Sequence, residues 1–218
     1  QNSQGREPFT VRIPSSNKAK PKPQEVEAPL SLQTGKMMNP FIIPGLQKLK
    51  IDSQLNHNYT FNNFIEGESN RLARAAGRAI AKRPGGTSFN PLFIYGGVGL
   101  GKTHLVHAIG LEVKDLHPEK TVLYVSTEKF TQQFIEAVKN NNQNDFIHFY
   151  QMIDVLIMDD IQFLSGKAKT QEVFFHIFNH LHQRGNQIIL TSDKSPADIQ
   201  DMEDRLISRF KWGLSADL

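Results

Sequence analysis

Residues 92–105 read LFIYGGVGLGKTHL. A short apolar run leads into a glycine-rich turn, which ends in Lys102 and Thr103 where a helical pattern begins. From Gly96 to Thr103 the residues satisfy G-x-x-x-x-G-K-[ST] at every fixed position. Glycines let backbone N–H groups turn toward phosphate oxygens, and a helix N-terminus adds partial positive charge. The stretch therefore predicts a phosphate-binding loop between a strand and a helix.

The residue types of this loop suit a nucleotide and its Mg²⁺ ion. Lys102 is expected to reach the β- and γ-phosphates, and Thr103 to bind Mg²⁺ through its hydroxyl. The turn before them is expected to hold the phosphates with its backbone, through Gly97, Val98, Gly99, Leu100 and Gly101. A glycine turn with a chance Gly-Lys-Thr is the alternative, which the strand–loop–helix context disfavours.

Two adjacent carboxylates follow a second apolar run. Residues 154–160 read DVLIMDD, so Asp159 and Asp160 come at the C-terminal end of a predicted strand. Ligands of open α/β sheets bind at that end. We expect Asp159 to hold Mg²⁺, mostly through water, and Asp160 to orient or polarise the attacking water. A solvated strand end that carries two acids is the alternative.

Two later features extend this site to that of an ATPase. Residues 191–193 (Thr-Ser-Asp) end the next strand, where their polar groups would lie beside Asp159, unless they cap a helix. Arg205 and Arg209 are four residues apart and share one helix face. An arginine set against a neighbour's γ-phosphate stabilises transition-state charge. Surface salt bridges with nearby aspartates are the alternative for this pair.

Short apolar runs alternate with helical patterns along the core. Such runs are typical of strands buried on both faces, and they cover residues 91–95, 121–125, 154–158 and 187–191. A fifth strand is expected to begin near Trp212. Before the first strand, apolar residues recur at helical spacing at Leu72, Ala75, Ala76, Ala79 and Ile80. The alternation predicts an α/β fold, with a parallel sheet in a three-layer αβα core.

Composition divides the chain into two parts. Residues 1–45 are rich in Pro, Ser and scattered Lys, and are predicted to form a flexible linker before a core at residues 46–218. Residues 59–218 hold 17 of the 25 Lys and Arg and 18 of the 22 Asp and Glu. With no overall basic field, the core would need a local patch or another domain to bind nucleic acid. The absence of cysteine, of a signal-peptide pattern and of a membrane-length apolar run predicts a soluble, cytoplasmic protein.

The order of these motifs along the chain resembles that of AAA+ ATPases. From about Leu55 to the end, the chain is similar to the bacterial DnaA family of chromosomal replication initiators. The resemblance rests on LNHNYTFNNFIEGESNRLARAAGRAIA, NPLFIYGGVGLGKTHLVHAIG, VLIMDDIQFLSGK, FFHIFNHL, IILTSDK and EDRLISRFKWGL. Several of these stretches have no general catalytic role, so the resemblance is more specific than the phosphate loop.

The resemblance implies a nucleotide-controlled initiator of replication. Members bind ATP or ADP, and ATP lets them assemble a helical filament at the replication origin, melt an AT-rich region and support loading of the replicative helicase. Slow hydrolysis acts as an off switch. Acidic phospholipids are further partners of the family, although no residue of this chain indicates them.

The resemblance also implies residue roles near the nucleotide. It places Phe64 and Asn70 near the adenine and makes Asp193 the first sensor of the γ-phosphate. Arg209 corresponds to the arginine finger that reaches a neighbour's ATP, and Arg205 supports the same interface.

Residues 128–150 correspond to the helical insertion that gives the family's filament its helical form. From the residues alone, a polar turn followed by aromatics fits two helices with a wedge-like tip, or an ordinary connection with core aromatics. The resemblance implies that single-stranded DNA lies in a central channel and contacts Ile135 and Lys169.

The family's remaining domains are expected to be absent here. Its N-terminal domain, its helical lid and the basic helix-turn-helix domain that reads double-stranded origin boxes have no counterpart, so we expect a fragment whose core is incomplete at its C-terminal end. Three alternatives remain: an AAA+ helicase loader of the DnaC or IstB type, an Hda-type regulator of initiation, and a metabolic P-loop kinase. A kinase would need an acceptor pocket, which no motif indicates.

Overall fold

The computed structural model describes residues 51–218, and the predicted linker at residues 1–45 lies outside them. The apolar runs form the strands β1 (Leu92–Tyr95), β2 (Val122–Ser126), β3 (Val155–Asp159), β4 (Gln187–Ser192) and β5 (Leu214–Asp217). They make one sheet in the order β2-β3-β4-β1-β5, and every neighbouring pair is parallel. The prediction of a parallel α/β sheet is confirmed.

Helices cover both faces of this sheet. Within residues 51–218 they are α1 (Arg71–Lys82), α2 (Lys102–Leu116), α3 (Thr127–Lys139), α4 (Gln143–Gln151), α5 (Ala168–Gln183) and α6 (Asp204–Phe210), with a 3-10 turn at Ile161–Leu164. One apolar cluster packs α1 and α2 against one face of the sheet. A second packs α3, α4, α5 and α6 against the opposite face. This is the predicted three-layer αβα core. No helix in the described part of the chain is long and apolar enough to cross a membrane.

The strands are apolar along their length because both faces are buried. In β3, Val155 and Ile157 pack in the α1–α2 cluster, whereas Leu156 and Met158 pack in the cluster of α3 to α6. Successive side chains of a strand point to opposite faces, so a continuous apolar run fills both layers. The first polar residue of the strand is Asp159, at its C-terminal end. The fold thus places polar chemistry at that edge.

The buried face of α1 differs from the predicted one. Leu72 and Ala75 are exposed, whereas Ala73 and Gly77 belong to the buried face together with Ile80. A Cβ atom at Gly77 would lie 2.7 Å from side-chain atoms of Ile109 on α2. Since α1 and α2 approach this closely, the contact face is made of small residues, and the larger Leu72 points away from it.

Helices α3 and α4 form the predicted helical pair, and the aromatics of α4 face the core. Phe146 and Tyr150 pack against Phe130 of α3, with ring centroids 5.2 and 4.9 Å away. Tyr150 is fully buried. The second interpretation of this segment, a connection with core aromatics, therefore describes α4.

Gln171 joins the 3-10 turn and the segment before α6 to α5. Its side chain is 2% exposed. Its Nε2 donates to the carbonyl oxygens of Leu164 and Asp201, each at 2.9 Å, and its Oε1 accepts from the Glu203 N–H at 2.8 Å. One buried amide thus sets where α6 begins.

We expect Gln171→Leu to lower the free energy of unfolding by about 3 kcal/mol, because three buried backbone groups lose their partner. Urea unfolding followed by circular dichroism measures this. The control is Gln132→Leu, an exposed glutamine of α3, which should change the free energy by less than about 0.5 kcal/mol. Equal effects of the two substitutions would contradict the assignment.

Candidate functional site

The glycine-rich loop bends sharply between β1 and α2. Gly101, the residue before α2, has φ 94°, a left-handed conformation that favours glycine. A Cβ atom there would also lie 3.3 Å from the ring of Phe64. The side chain of Val98 points into solvent and Leu100 is half exposed, so the loop leaves its backbone accessible. Such a loop at a helix N-terminus is an anion-binding structure.

Lys102 lies inside this loop and is only 7% exposed. Its Nζ donates to the carbonyl oxygens of Gly96 and Gly97, at 2.8 and 2.9 Å, and to Oδ1 of Asp193 at 2.7 Å. The ammonium group is therefore fixed at the centre of the loop. Residues 91 positions apart meet here, which brings the predicted sensor and the predicted phosphate-binding lysine into direct contact.

Asp159 accepts hydrogen bonds from three hydroxyl groups and is 3% exposed. Thr103 and Tyr124 donate to Oδ2, at 2.9 and 2.7 Å, and Thr191 donates to Oδ1. The sequence predicts that polar groups of residues 191–193 lie beside Asp159, and of these residues Thr191 makes the contact. Asp193 contacts Lys102 instead.

The pair of Thr103 and Asp159 fits the predicted Mg²⁺ ion. Mg²⁺ prefers oxygen ligands, and it is usually held by one or two protein groups, with water and phosphate supplying the rest. A hydroxyl and a carboxylate that already contact each other at the mouth of a phosphate loop provide such a set. Within residues 51–218 no cluster of three or more His, Asp or Glu side chains is arranged to hold a metal ion.

Asp160 combines a left-handed backbone conformation with two nearby carboxylates. Its φ is 58°, in the left-handed region, and its N–H donates to Oγ1 of Thr191 at 2.8 Å. Burial raises the pKa of Asp160, and the negative charges of Asp159 and Asp193 raise it further. A carboxylate with a raised pKa is a stronger base toward water.

Gln162 and Tyr124 are site residues that the sequence analysis missed. The Nε2 of Gln162 donates to Asp160 at 3.2 Å and to Asp193 at 3.3 Å, so this amide bridges the two carboxylates. Tyr124 donates to Asp159 from the neighbouring strand. The sequence feature that could have pointed to Tyr124 is the presence of a tyrosine within the mainly apolar strand VLYVS.

Of the residues predicted near the adenine, Phe64 lies beside the loop and Asn70 lies at the start of α1. Phe64 is buried, and its ring packs edge-on against His104 of α2, with centroids 5.3 Å apart. Asn70 closes its own loop: it accepts from the Gly67 N–H at 2.9 Å and donates to the Ile65 carbonyl at 3.0 Å. Phe64 thus supports the loop end of α2, and Asn70 shapes the segment that leads into α1.

Arg205 and Arg209 contact residues of α5 and the α6 region rather than the phosphate loop. Arg205 pairs with Glu203, where the sequence suggested Asp201 or Asp204 as surface partners. Its guanidinium also lies 4.4 Å from the ring centre of Phe175. These contacts lie on the sheet face opposite α2. The structure therefore does not bring the two arginines to the loop of their own chain.

Arg209 is held by three groups. Its Nε donates to Oδ1 of Asn179 at 2.9 Å, and its guanidinium carbon lies 4.0 Å from the ring centre of Trp212 and 5.4 Å from that of Phe175. Trp212 is half exposed. An arginine fixed in this way on a surface suits contact with a second molecule.

The two predicted DNA contacts are accessible. Ile135 on α3 is 46% exposed, and Lys169 is exposed in the first turn of α5. Phe130 and Phe134 of the same helix are buried, whereas Ile135 is available for contact with another molecule.

His107 is a buried neutral histidine behind the site. It is 5% exposed, and its Nδ1 accepts from the Asn56 N–H at 3.2 Å. Its ring packs on Tyr124, with centroids 4.0 Å apart. Burial lowers the pKa of His107 from its ordinary 6.5, and nearby His104 lowers it further, while Asp159 opposes this.

This lowered pKa predicts a pH dependence of stability. Between the folded pKa and the ordinary value of 6.5 the unfolded chain binds more protons, so the free energy of unfolding falls as pH drops below about 6.5. We expect His107→Gln to lose less stability than the wild type between about pH 7.5 and 5.5. Urea titrations at both pH values measure this. His180, whose pKa is also lowered, is retained in both proteins. Replacing the exposed His57 by Gln is the control, and identical pH slopes for His107→Gln and wild type would contradict the prediction.

Comparison with known proteins agrees with this geometry. The family model for the bacterial DnaA ATPase domain matches residues 55–217. The chromosomal replication initiator protein DnaA of Flavobacterium psychrophilum is 67% identical over 211 residues, which are 97% of this chain and 44% of that protein. That of Bacteroides thetaiotaomicron is 52% identical over 96% of this chain and 43% of its own length. The chain thus spans less than half the length of these relatives.

Solved structures give the same result. Domain III of the Thermotoga maritima replication initiation protein DnaA has a TM-score of 0.73 and 46% identity, over 75% of this chain and 68% of that chain. A replication initiator DnaA bound to AMPPCP and single-stranded DNA has a TM-score of 0.73 and 45% identity, over 76% and 51%. A DnaC helicase loader shares the fold, with a TM-score of 0.64, 16% identity and coverage of 74% and 97%.

Proposed function

Because the chain belongs to the bacterial DnaA ATPase-domain family, we propose that it binds ATP and ADP with Mg²⁺ and hydrolyses ATP slowly as a switch. The observation that carries this proposal is the convergence of Lys102, Thr103, Asp159 and Asp160 around one open loop. A solved structure of DnaA from Aquifex aeolicus contains bound AMPPCP, a triphosphate analogue.

The chain's own groups divide the work of hydrolysis. Lys102 provides a fixed positive charge for the β- and γ-phosphates, and the loop backbone provides N–H donors. Asp160 orients a water molecule and accepts its proton. When bound, Mg²⁺ neutralises charge on the phosphate oxygens, and Thr103 and Asp159 would hold it.

A self-assembly role follows from Arg209. The arginine is held by Asn179 and Trp212 in a partly exposed position on the sheet face opposite α2, where a nucleotide on another molecule could contact it. We propose that ATP bound to one copy is contacted by Arg209 of the next, with Arg205 beside it. Assembly would then depend on which nucleotide is bound.

In the complete protein, we propose a role in starting chromosomal replication. The relatives named chromosomal replication initiator support this, at 67% and 52% identity. Exposed Ile135 and Lys169 would contact single-stranded DNA, as a solved relative binds it. Contacts with double-stranded origin boxes, the replicative helicase and acidic phospholipids belong to the same proposal. The DnaC type of loader matches only at 16% identity, which disfavours that alternative.

Equilibrium binding and single-turnover hydrolysis test the nucleotide part. We expect saturable binding of fluorescent ATP and ADP that strengthens with Mg²⁺, and slow phosphate release without any acceptor. Absence of binding would overturn the proposal. Turnover that requires a small-molecule acceptor would instead support the kinase alternative.

A further inference from the structure

We propose that Tyr124 is a positioning residue that holds the carboxylate of Asp159 in the orientation for binding the nucleotide's Mg²⁺ ion. The inference deepens the proposed function and rests on it. It concerns a residue outside the phosphate loop and outside the acidic end of β3.

The hydroxyl of Tyr124 is one of two that contact the same carboxylate oxygen. It donates to Oδ2 of Asp159 at 2.7 Å, and Thr103 donates to that oxygen at 2.9 Å. Thr191 donates to the other oxygen, Oδ1. With one hydroxyl on Oδ1 and two on Oδ2, the carboxylate plane cannot rotate without losing a charge-assisted bond. Thr103 belongs to the phosphate loop, whereas Tyr124 reaches the same carboxylate from β2.

Tyr124 is itself fixed from two sides. Its backbone N–H donates to the Ser53 carbonyl at 2.9 Å, which joins β2 to the segment that crosses its outer edge. Its ring packs on His107, whose Nδ1 accepts from the Asn56 N–H. The ring of Tyr59 lies 5.5 Å from that of His107 on the other side. Residues 53–59 therefore help to fix the position of Tyr124, and Tyr124 in turn fixes that of the Asp159 carboxylate.

The hydroxyl of Tyr124 therefore holds one of the expected metal ligands from outside the phosphate loop. Groups that orient a metal ligand in this way change metal affinity about 10- to 100-fold when they are removed.

The test is the Mg²⁺ dependence of nucleotide binding by Tyr124→Phe. Affinity for fluorescent ADP is measured in EDTA and over a Mg²⁺ titration, for wild type and variant. We expect wild type and variant to bind ADP with equal affinity in EDTA. The Mg²⁺ concentration that gives half of the Mg²⁺-dependent increase in affinity should be about tenfold higher for Tyr124→Phe. Tyr150→Phe is the matched control, because that buried hydroxyl makes an equally short bond, 2.7 Å, to the neutral Gln133.

The outcomes separate the two proposals. If wild type binds nucleotide and Tyr124→Phe has the same Mg²⁺ dependence as Tyr150→Phe, the inference is overturned and the proposed function stands. A loss of affinity that is equal in EDTA and in Mg²⁺ would show a merely structural role and overturn it as well. If wild type itself does not bind nucleotide, the proposed function fails, and the inference fails with it.

Discussion

Lys102→Ala is expected to weaken ATP binding by about 30-fold or more. The ammonium group is 7% exposed and is held in place by the carbonyl oxygens of Gly96 and Gly97, so it meets the phosphates without being reoriented. Removing one partner of a buried, hydrogen-bonded charge pair costs about 2–5 kcal/mol, and each 1.4 kcal/mol is about tenfold in affinity. Isothermal titration calorimetry with ATP and with ADP measures the loss.

The control for this substitution is Lys194→Ala. Lys194 is exposed and follows Asp193, so its removal changes the net charge equally and close to the pocket. It should alter ATP affinity by less than about threefold, since exposed charges interact weakly through water. Comparable losses in the two variants would show that Lys102 contributes only a general field. The melting temperature without nucleotide should be compared as well, to separate binding from folding.

Arg209→Ala is expected to abolish ATP-dependent assembly while ATP affinity changes by less than about threefold. The side chain contacts Asn179, Trp212 and Phe175 and lies away from the loop of its own chain, so a single copy loses no nucleotide contact. Where such groups have been measured, an arginine supplied by a neighbour raises the rate of phosphoryl transfer about 10³- to 10⁵-fold. Analytical ultracentrifugation of the complete protein, with ATP and with ADP, checks assembly.

Arg184→Ala is the matched control, since this exposed arginine ends α5, the helix on which Arg209 is anchored. It should assemble with ATP as the wild type does. Normal assembly of Arg209→Ala would refute the interface role, and a large drop in its ATP affinity would place the arginine in its own pocket.

Local pattern was enough to predict the order of elements and the loop. Strand ends were predicted to within one residue for β1 to β4, because a strand buried on both faces must be apolar throughout and must end where polar residues begin. Lys102 and Thr103 could be predicted as phosphate and Mg²⁺ ligands because a phosphate loop uses consecutive residues, so its pattern is contained in one stretch of sequence.

Contacts between distant residues were beyond the pattern. Tyr124 and Asp159 are 35 positions apart, and their meeting depends on the register of β2 against β3. The outward position of Leu72 likewise depends on how closely α1 approaches α2 at Gly77, which no property of the helix alone determines. Pairing of Lys102 with Asp193 required the order of strands in the sheet, in which β4 lies beside β1.

That last contact makes nucleotide binding an exchange of anions. The carboxylate of Asp193 lies 2.7 Å from the ammonium group of Lys102, so a phosphate that binds Lys102 would displace this carboxylate or share the lysine with it. The affinity for a phosphate would then be a difference between two ion pairs. Asp193 also accepts from Gln162, which contacts Asp160, and its segment leads on to α6. A phosphate that weakened the pair of Lys102 and Asp193 would therefore change the contacts of a residue at the start of the segment that carries the arginines.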